Sequence, residues 1–73
     1  MKYLFFSPVG VIEISPSPLG GWQLVIAEDV MGIYQTPELA AGDVFTHTTG
    51  HPDWDDMDTI DSPETLSEWK RSF

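Results

Sequence analysis

Two histidines and four aspartates occur together in the twelve-residue stretch HTTGHPDWDDMD, which starts at His47. Asp43, His47 and His51 are spaced four residues apart, so an unbroken helix would place all three on one face as candidate zinc ligands. Gly50 and Pro52 favour an end to the helix before His51, and the glutamate that acts as general base in the HExxH motif is absent. We therefore predict no zinc site here, and we interpret the histidines as polar residues around a helix C-terminus.

The acidic run that follows can be read as a twelve-residue calcium loop over residues 53–64. This reading places acids at loop positions 1, 3, 9 and 12, and Glu64 fills the bidentate position. Met57 stands where an oxygen ligand is expected, and Asp58 replaces the glycine of the sharp turn. The sequence therefore predicts no specific calcium site and no cofactor.

Groups capable of catalysis are present, but they do not form a known arrangement. The chain has no G-x-S-x-G elbow, and Gly20-Gly21 precedes a predicted strand rather than a phosphate-binding helix N-terminus. A domain of 73 residues also offers little concave volume that excludes water. We predict no enzymatic activity.

The net charge of −9 is unevenly distributed along the chain. Residues 1–27 sum to zero, whereas residues 28–73 hold eleven acids against two bases. Because nucleic acids and anionic membranes are bound by clustered Lys and Arg, the three basic residues of this chain predict no direct contact with either. The absence of cysteine and of a long apolar run favours a cytoplasmic location.

Local patterns predict one small domain over residues 1–73. Runs rich in aromatic and β-branched residues indicate strands, with a loop over 15–21 and a turn at Glu28-Asp29. The predicted strands are Tyr3–Phe6 and Val9–Ile14, which form one interrupted strand or two short ones, then Trp22–Ala27 and Val30–Tyr34.

Two Ser/Thr-Pro-Glu sequences, at Thr36 and Ser62, are typical of helix N-termini. They predict a helix over residues 37–49, an acidic loop over 51–61 and a short C-terminal helix over 63–71. The predicted fold class is α+β, with a small antiparallel sheet of two or three strands packed by one helix, plus the short C-terminal helix. The predicted core between sheet and helix consists of Trp22, Leu24, Ile26, Val44 and Phe45.

The pattern GW, L, GIY, TPELAAGDV, TTG and WDD runs from Gly21 to Asp56. It is similar to small bacterial domains in which a hairpin precedes one helix and a Trp-Asp loop, and the similarity covers roughly half of the chain. The resemblance implies the same fold and implies no activity.

The acidic segment, residues 53–68, is the strongest functional feature, because its seven acids and no base exceed what solubility requires. We expect a noncatalytic module that presents this segment to a basic protein surface. The predicted partner-binding residues are Asp53, Trp54, Asp55, Asp56, Met57 and Asp58. A DNA-mimicking inhibitor of a nucleic-acid-binding protein and a divalent-cation-binding domain are the alternatives. If the strand Tyr3–Phe6 has an unpaired edge, that edge would support a homodimer.

Overall fold

The computed structural model describes residues 1–57, 59–60 and 62–72. In chain order its elements are β1 (Lys2–Ser7), β2 (Gly10–Pro16), β3 (Trp22–Ile26), β4 (Asp29–Tyr34), α1 (Pro37–Phe45), α2 (Pro52–Asp55), a 3-10 turn (Leu66–Glu68) and β5 (Lys70–Ser72). Among the described residues no helix is long and apolar enough to cross a lipid bilayer.

The strands form one antiparallel sheet in the order β4-β3-β2-β1-β5. The prediction of two or three strands is therefore wrong, although the fold is still α+β. One reason is the turn after Ser7, which joins two strands and does not interrupt a single one. It closes a hairpin in which Tyr3 lies opposite Ile14 and Ser7 lies opposite Gly10, so β1 and β2 are separate, neighbouring strands.

The C-terminal segment accounts for the fifth strand. The sequence predicts a helix over residues 63–71, and this prediction is wrong: a single 3-10 turn leads into β5, where Lys70 pairs with Leu4. An isolated helix of nine residues is marginal, whereas pairing with β1 satisfies backbone groups of both strands. As a result, β1 is not a free edge between Lys2 and Leu4, and the edges of the sheet are β4 and β5.

Helix α1 begins where the sequence predicts and ends four residues early. The Thr36 hydroxyl accepts a hydrogen bond from the Leu39 amide at 3.2 Å, as expected for an N-cap. The helix ends at Phe45, and His47 then adopts a left-handed conformation with φ of 56°. His47 thus takes the helix-closing place that the sequence assigns to Gly50.

The core lies between one face of the sheet and the helices. Its buried members are Ile12, Ile14, Leu24, Ile26, Ala40, Ala41, Val44, Trp54 and Trp69. The predictions for Leu24, Ile26 and Val44 are confirmed, and Trp22 is half-buried against this core. The prediction for Phe45 is wrong, since its side chain is 40% exposed. One helical residue turns through about 100°, which carries Phe45 away from the face that Val44 occupies.

The hairpin between β3 and β4 turns at Ala27 and Glu28, one residue earlier than predicted. Both residues have positive φ, 50° and 75°, as in a type I′ turn. Such turns prefer Asn and Gly, and a left-handed conformation costs an ordinary residue about 1–2 kcal/mol. At the other end of the hairpin, β2 extends to Pro16, so the loop predicted over 15–21 is shorter than expected.

Candidate interaction surfaces

Trp54 attaches α2 to the rest of the domain. Its side chain is fully buried, and its indole Nε1 donates a hydrogen bond to the Val44 carbonyl oxygen at 3.0 Å. The ring stacks on His47, with ring centroids 4.4 Å apart. It also packs edge-to-face with Phe5, with ring centroids 6.0 Å apart. Trp54 therefore joins α2 to α1 and to the sheet, and it offers no surface to a partner.

Asp55 folds the chain that precedes α2. Its carboxylate accepts hydrogen bonds from the Thr49 amide at 3.0 Å, the Thr49 hydroxyl at 2.8 Å and the Gly50 amide at 2.9 Å. Burial alone would raise the pKa of Asp55, but these hydrogen bonds and the nearby His47 outweigh it and lower the pKa below its ordinary value. Asp55 thus acts as a local cap for backbone amides.

The two histidines hold backbone groups of the same segment. His47 Nδ1 lies 2.9 Å from the Trp54 carbonyl oxygen, and its Nε2 lies 2.9 Å from the Ile60 carbonyl oxygen. Because a carbonyl oxygen only accepts, only the doubly protonated ring satisfies both contacts. His51 is buried, and its Nδ1 accepts from the Trp54 amide at 3.3 Å, which caps α2.

Among the described residues, neither histidine joins a cluster that could hold a metal ion. Within residues 1–57, 59–60 and 62–72, no three His, Cys, Asp or Glu side chains are positioned to hold a metal ion. The zinc-like spacing of the sequence is broken because the helix ends at Phe45, before either histidine.

Of the six predicted partner-binding residues, Asp53 is exposed on α2 and Asp56 is exposed at the C-cap of that helix. Met57 is half-buried, and Asp58 lies outside the described residues. The segment 51–61, predicted as a loop, thus contains a short helix that displays two of its acids. Other exposed acids lie on α1 and on the chain that leads to β5. We call the exposed set the acidic layer: Glu38, Asp53, Asp56, Glu64 and Glu68.

A partly buried polar contact that could not be predicted from the sequence joins β4 to α1. The Tyr34 hydroxyl donates to the Asp43 carboxylate at 2.7 Å. Burial raises the pKa of Tyr34, and the bond to Asp43 and its negative charge raise it further. Both groups therefore serve the attachment of the helix to the sheet.

The second surface is the face of the sheet opposite the helices, on which none of the described helices packs. Strand register places alternate residues of neighbouring strands there in continuous rows, such as Lys70, Leu4, Glu13, Val25 and Val30. We call this surface the open face, and its apolar members are Leu4, Phe6, Val11, Val25, Val30 and Ile33. Phe6, Val30 and Ile33 are 62%, 57% and 51% exposed.

A row of polar side chains that contact one another crosses the middle of the open face. Lys2 Nζ lies 3.7 Å from one oxygen of Glu13, and the Ser15 hydroxyl donates to the other oxygen at 2.9 Å. Gln23 Nε2 in turn donates to Ser15 at 3.2 Å. At the β5 side, the Lys70 ammonium lies 5.8 Å from the centre of the Phe6 ring.

Concave sites and known relatives give no further assignment. No pocket is found among the residues that the structure describes. No family model matches the chain, and neither a curated protein nor a solved structure does.

Proposed function

We propose that this chain is a noncatalytic interaction module that presents its acidic layer to a basic protein surface. The observation that carries the proposal is the separation of charge across the sheet. Five of the seven exposed acids among the described residues, the acidic layer, lie on the elements that cover one face of the sheet, whereas Lys2 and Lys70, two of the three basic residues, occupy the open face. A surface of one sign steers an oppositely charged partner and selects against others.

The fixed conformation of the acidic segment around α2 supports the same proposal. Asp53 lies on α2 and Asp56 caps its C-terminus, and this helix is held by a buried indole, a capping carboxylate and two imidazoles. A preorganised surface loses less conformational entropy on binding than a mobile loop does. The carboxylates of α2 can therefore contribute to association without first ordering the chain.

The groups that could perform acid-base chemistry are occupied with structural bonds, and this favours a noncatalytic role. His47 and His51 hold backbone atoms, Asp55 holds the Thr49–Gly50 amides, and Asp43 accepts from Tyr34. We also propose a cytoplasmic location, in keeping with a chain that contains no cysteine.

A DNA-mimicking inhibitor is the second candidate, and the fixed position of α2 favours it. Such an inhibitor needs carboxylates held in fixed positions, where they take the place of phosphates in the groove of a basic protein. Both candidates predict a basic partner. They differ in one outcome, because duplex DNA competes with the chain only if the acidic layer occupies a nucleic-acid groove.

The proposal is tested by a pull-down from lysate of the source cells with immobilised wild type and two double variants. Asp53→Asn with Asp56→Asn removes two charges from the acidic layer. Glu28→Gln with Asp29→Asn removes two charges from the exposed β3–β4 hairpin and is the matched control. We expect a basic protein that wild type and control retain and that the first variant loses.

Equal retention by all three proteins contradicts the proposal, and so does equal loss from both double variants. The first result would mean that Asp53 and Asp56 make no contact, and the second that only total charge matters. Addition of duplex DNA to the retained complex separates the two candidates, since release of the chain supports the DNA mimic.

A further inference from the structure

We propose that the open face is the interface of a homodimer, in which a second copy of this chain covers the sheet. This inference is independent of the partner of the acidic layer. Antiparallel sheets often leave one face to solvent, but such a face is then predominantly polar. Here four apolar side chains are at least 40% exposed on that face: Phe6, Val11, Val30 and Ile33.

The charge distribution favours the open face over the acidic layer for contact between two copies of this chain. Two chains that each carry −9 repel one another wherever their acids meet. Among the described residues, Glu13 is the only acid at a strand position on the open face, and it shares that face with Lys2 and Lys70. Two lysines and one glutamate leave one positive charge, so contact through this face keeps the acidic layers on opposite outer sides.

The polar residues of the open face do not prevent its burial. Within one copy, Ser15 is hydrogen-bonded to both Glu13 and Gln23, and the Lys2 ammonium lies 3.7 Å from the Glu13 carboxylate. Covering polar groups that are already paired costs less than covering groups that would lose their water. The apolar residues on either side of this row of polar residues then supply the apolar surface whose burial favours association.

The size of the face predicts a weak dimer. Five strands about 4.8 Å apart and about 17–20 Å long span a projected area of roughly 400 Å² per copy. Because accessible surface exceeds projected area, two such faces lie near the roughly 1,000 Å² at which specific interfaces begin. We therefore expect a dissociation constant on the order of micromolar.

Sedimentation equilibrium of the full chain over about 0.1–100 μM tests the inference, since this range brackets a dissociation constant on the order of micromolar. Phe6→Lys and Val30→Lys place a charge on two different strands of the open face. Leu39→Lys is the matched control, because Leu39 is 55% exposed on α1, on the other side of the sheet, and Val30 is 57% exposed. We expect wild type and Leu39→Lys to reach twice the monomer mass and both face variants to remain monomers, each with an unchanged circular dichroism spectrum.

Monomeric wild type throughout that range overturns the inference, because the face would then be free or reserved for another protein. Loss of the dimer in Val30→Lys alone also overturns it, since the contact would then involve the edge strand β4 and not the whole open face. Raising the salt concentration should strengthen this dimer by screening the repulsion of two acidic chains. It should weaken binding of a basic protein, so failure of one proposal is distinguishable from failure of the other.

Discussion

Replacement of Trp54 tests whether this residue is an internal anchor. The side chain is fully buried, and truncation of a buried Trp to Ala costs about 3–5 kcal/mol. The Val44 carbonyl oxygen also loses the indole donor. A domain of this size has a total free energy of unfolding near the low end of about 5–15 kcal/mol, so Trp54→Ala is expected to leave much of the chain unfolded.

Trp54→Phe separates packing from hydrogen bonding. It keeps an aromatic ring against Phe5 and His47 but removes the Nε1 donor, and the loss of a buried hydrogen bond costs about 1–3 kcal/mol. The assay is urea unfolding followed by circular dichroism at 25 °C. Phe45→Ala is the control, because its side chain is 40% exposed and its truncation should cost less than that of Trp54.

The ranking of these variants is the result that matters. We expect the free energy of unfolding to fall slightly in Phe45→Ala, more in Trp54→Phe and most in Trp54→Ala. A Trp54→Ala protein whose stability lies within about 0.5 kcal/mol of wild type would refute the assignment, since changes of that size are typical of surface positions. Trp54 would then have to be exposed, where it could contact a partner.

Two further predictions concern stability. Because the pKa of Asp55 is lowered in the folded protein, its stabilising contribution is complete above the ordinary pKa of about 4 and is lost as the pH falls through the folded value. The difference in Tm between wild type and Asp55→Asn should therefore stay constant from about pH 7 to pH 5 and shrink as the pH falls below about 4, with Asp56→Asn as the exposed control. At the β3–β4 turn, Ala27→Asn with Glu28→Gly should raise the free energy of unfolding by about 1 kcal/mol, since both residues have positive φ. A lower stability in urea would show that this turn is not strained.

Local sequence patterns were sufficient to predict the structural elements that depend on interactions between residues close in the chain. The N-cap at Thr36 and the alternation of Leu24 and Ile26 depend on neighbours a few residues away, and the structure retains both. The strand β5 could not be predicted this way. Its segment carries a helix-start sequence, and its strand conformation depends on pairing with β1, about 66–70 residues earlier in the chain.

The candidate surfaces were predictable to a similar degree. The sequence locates Asp53 and Asp56 in an acidic segment, and both are exposed. It cannot show that Trp54, flanked by aspartates, is buried, because the partners of its ring lie on α1 and β1. The open face could not be predicted without the strand register, since a two- or three-stranded sheet leaves too few neighbouring positions for continuous apolar rows.

The measurement that tests the central claim most directly is the association rate of the chain with the basic protein recovered by pull-down. Wild type and the Asp53→Asn, Asp56→Asn variant are compared by stopped flow between about 50 and 300 mM salt, a range over which exposed charges become screened. We predict that the wild-type rate falls about tenfold or more, whereas the variant associates more slowly at low salt and changes less. Equal rates for the two proteins, indifferent to salt, would contradict recognition through the acidic layer.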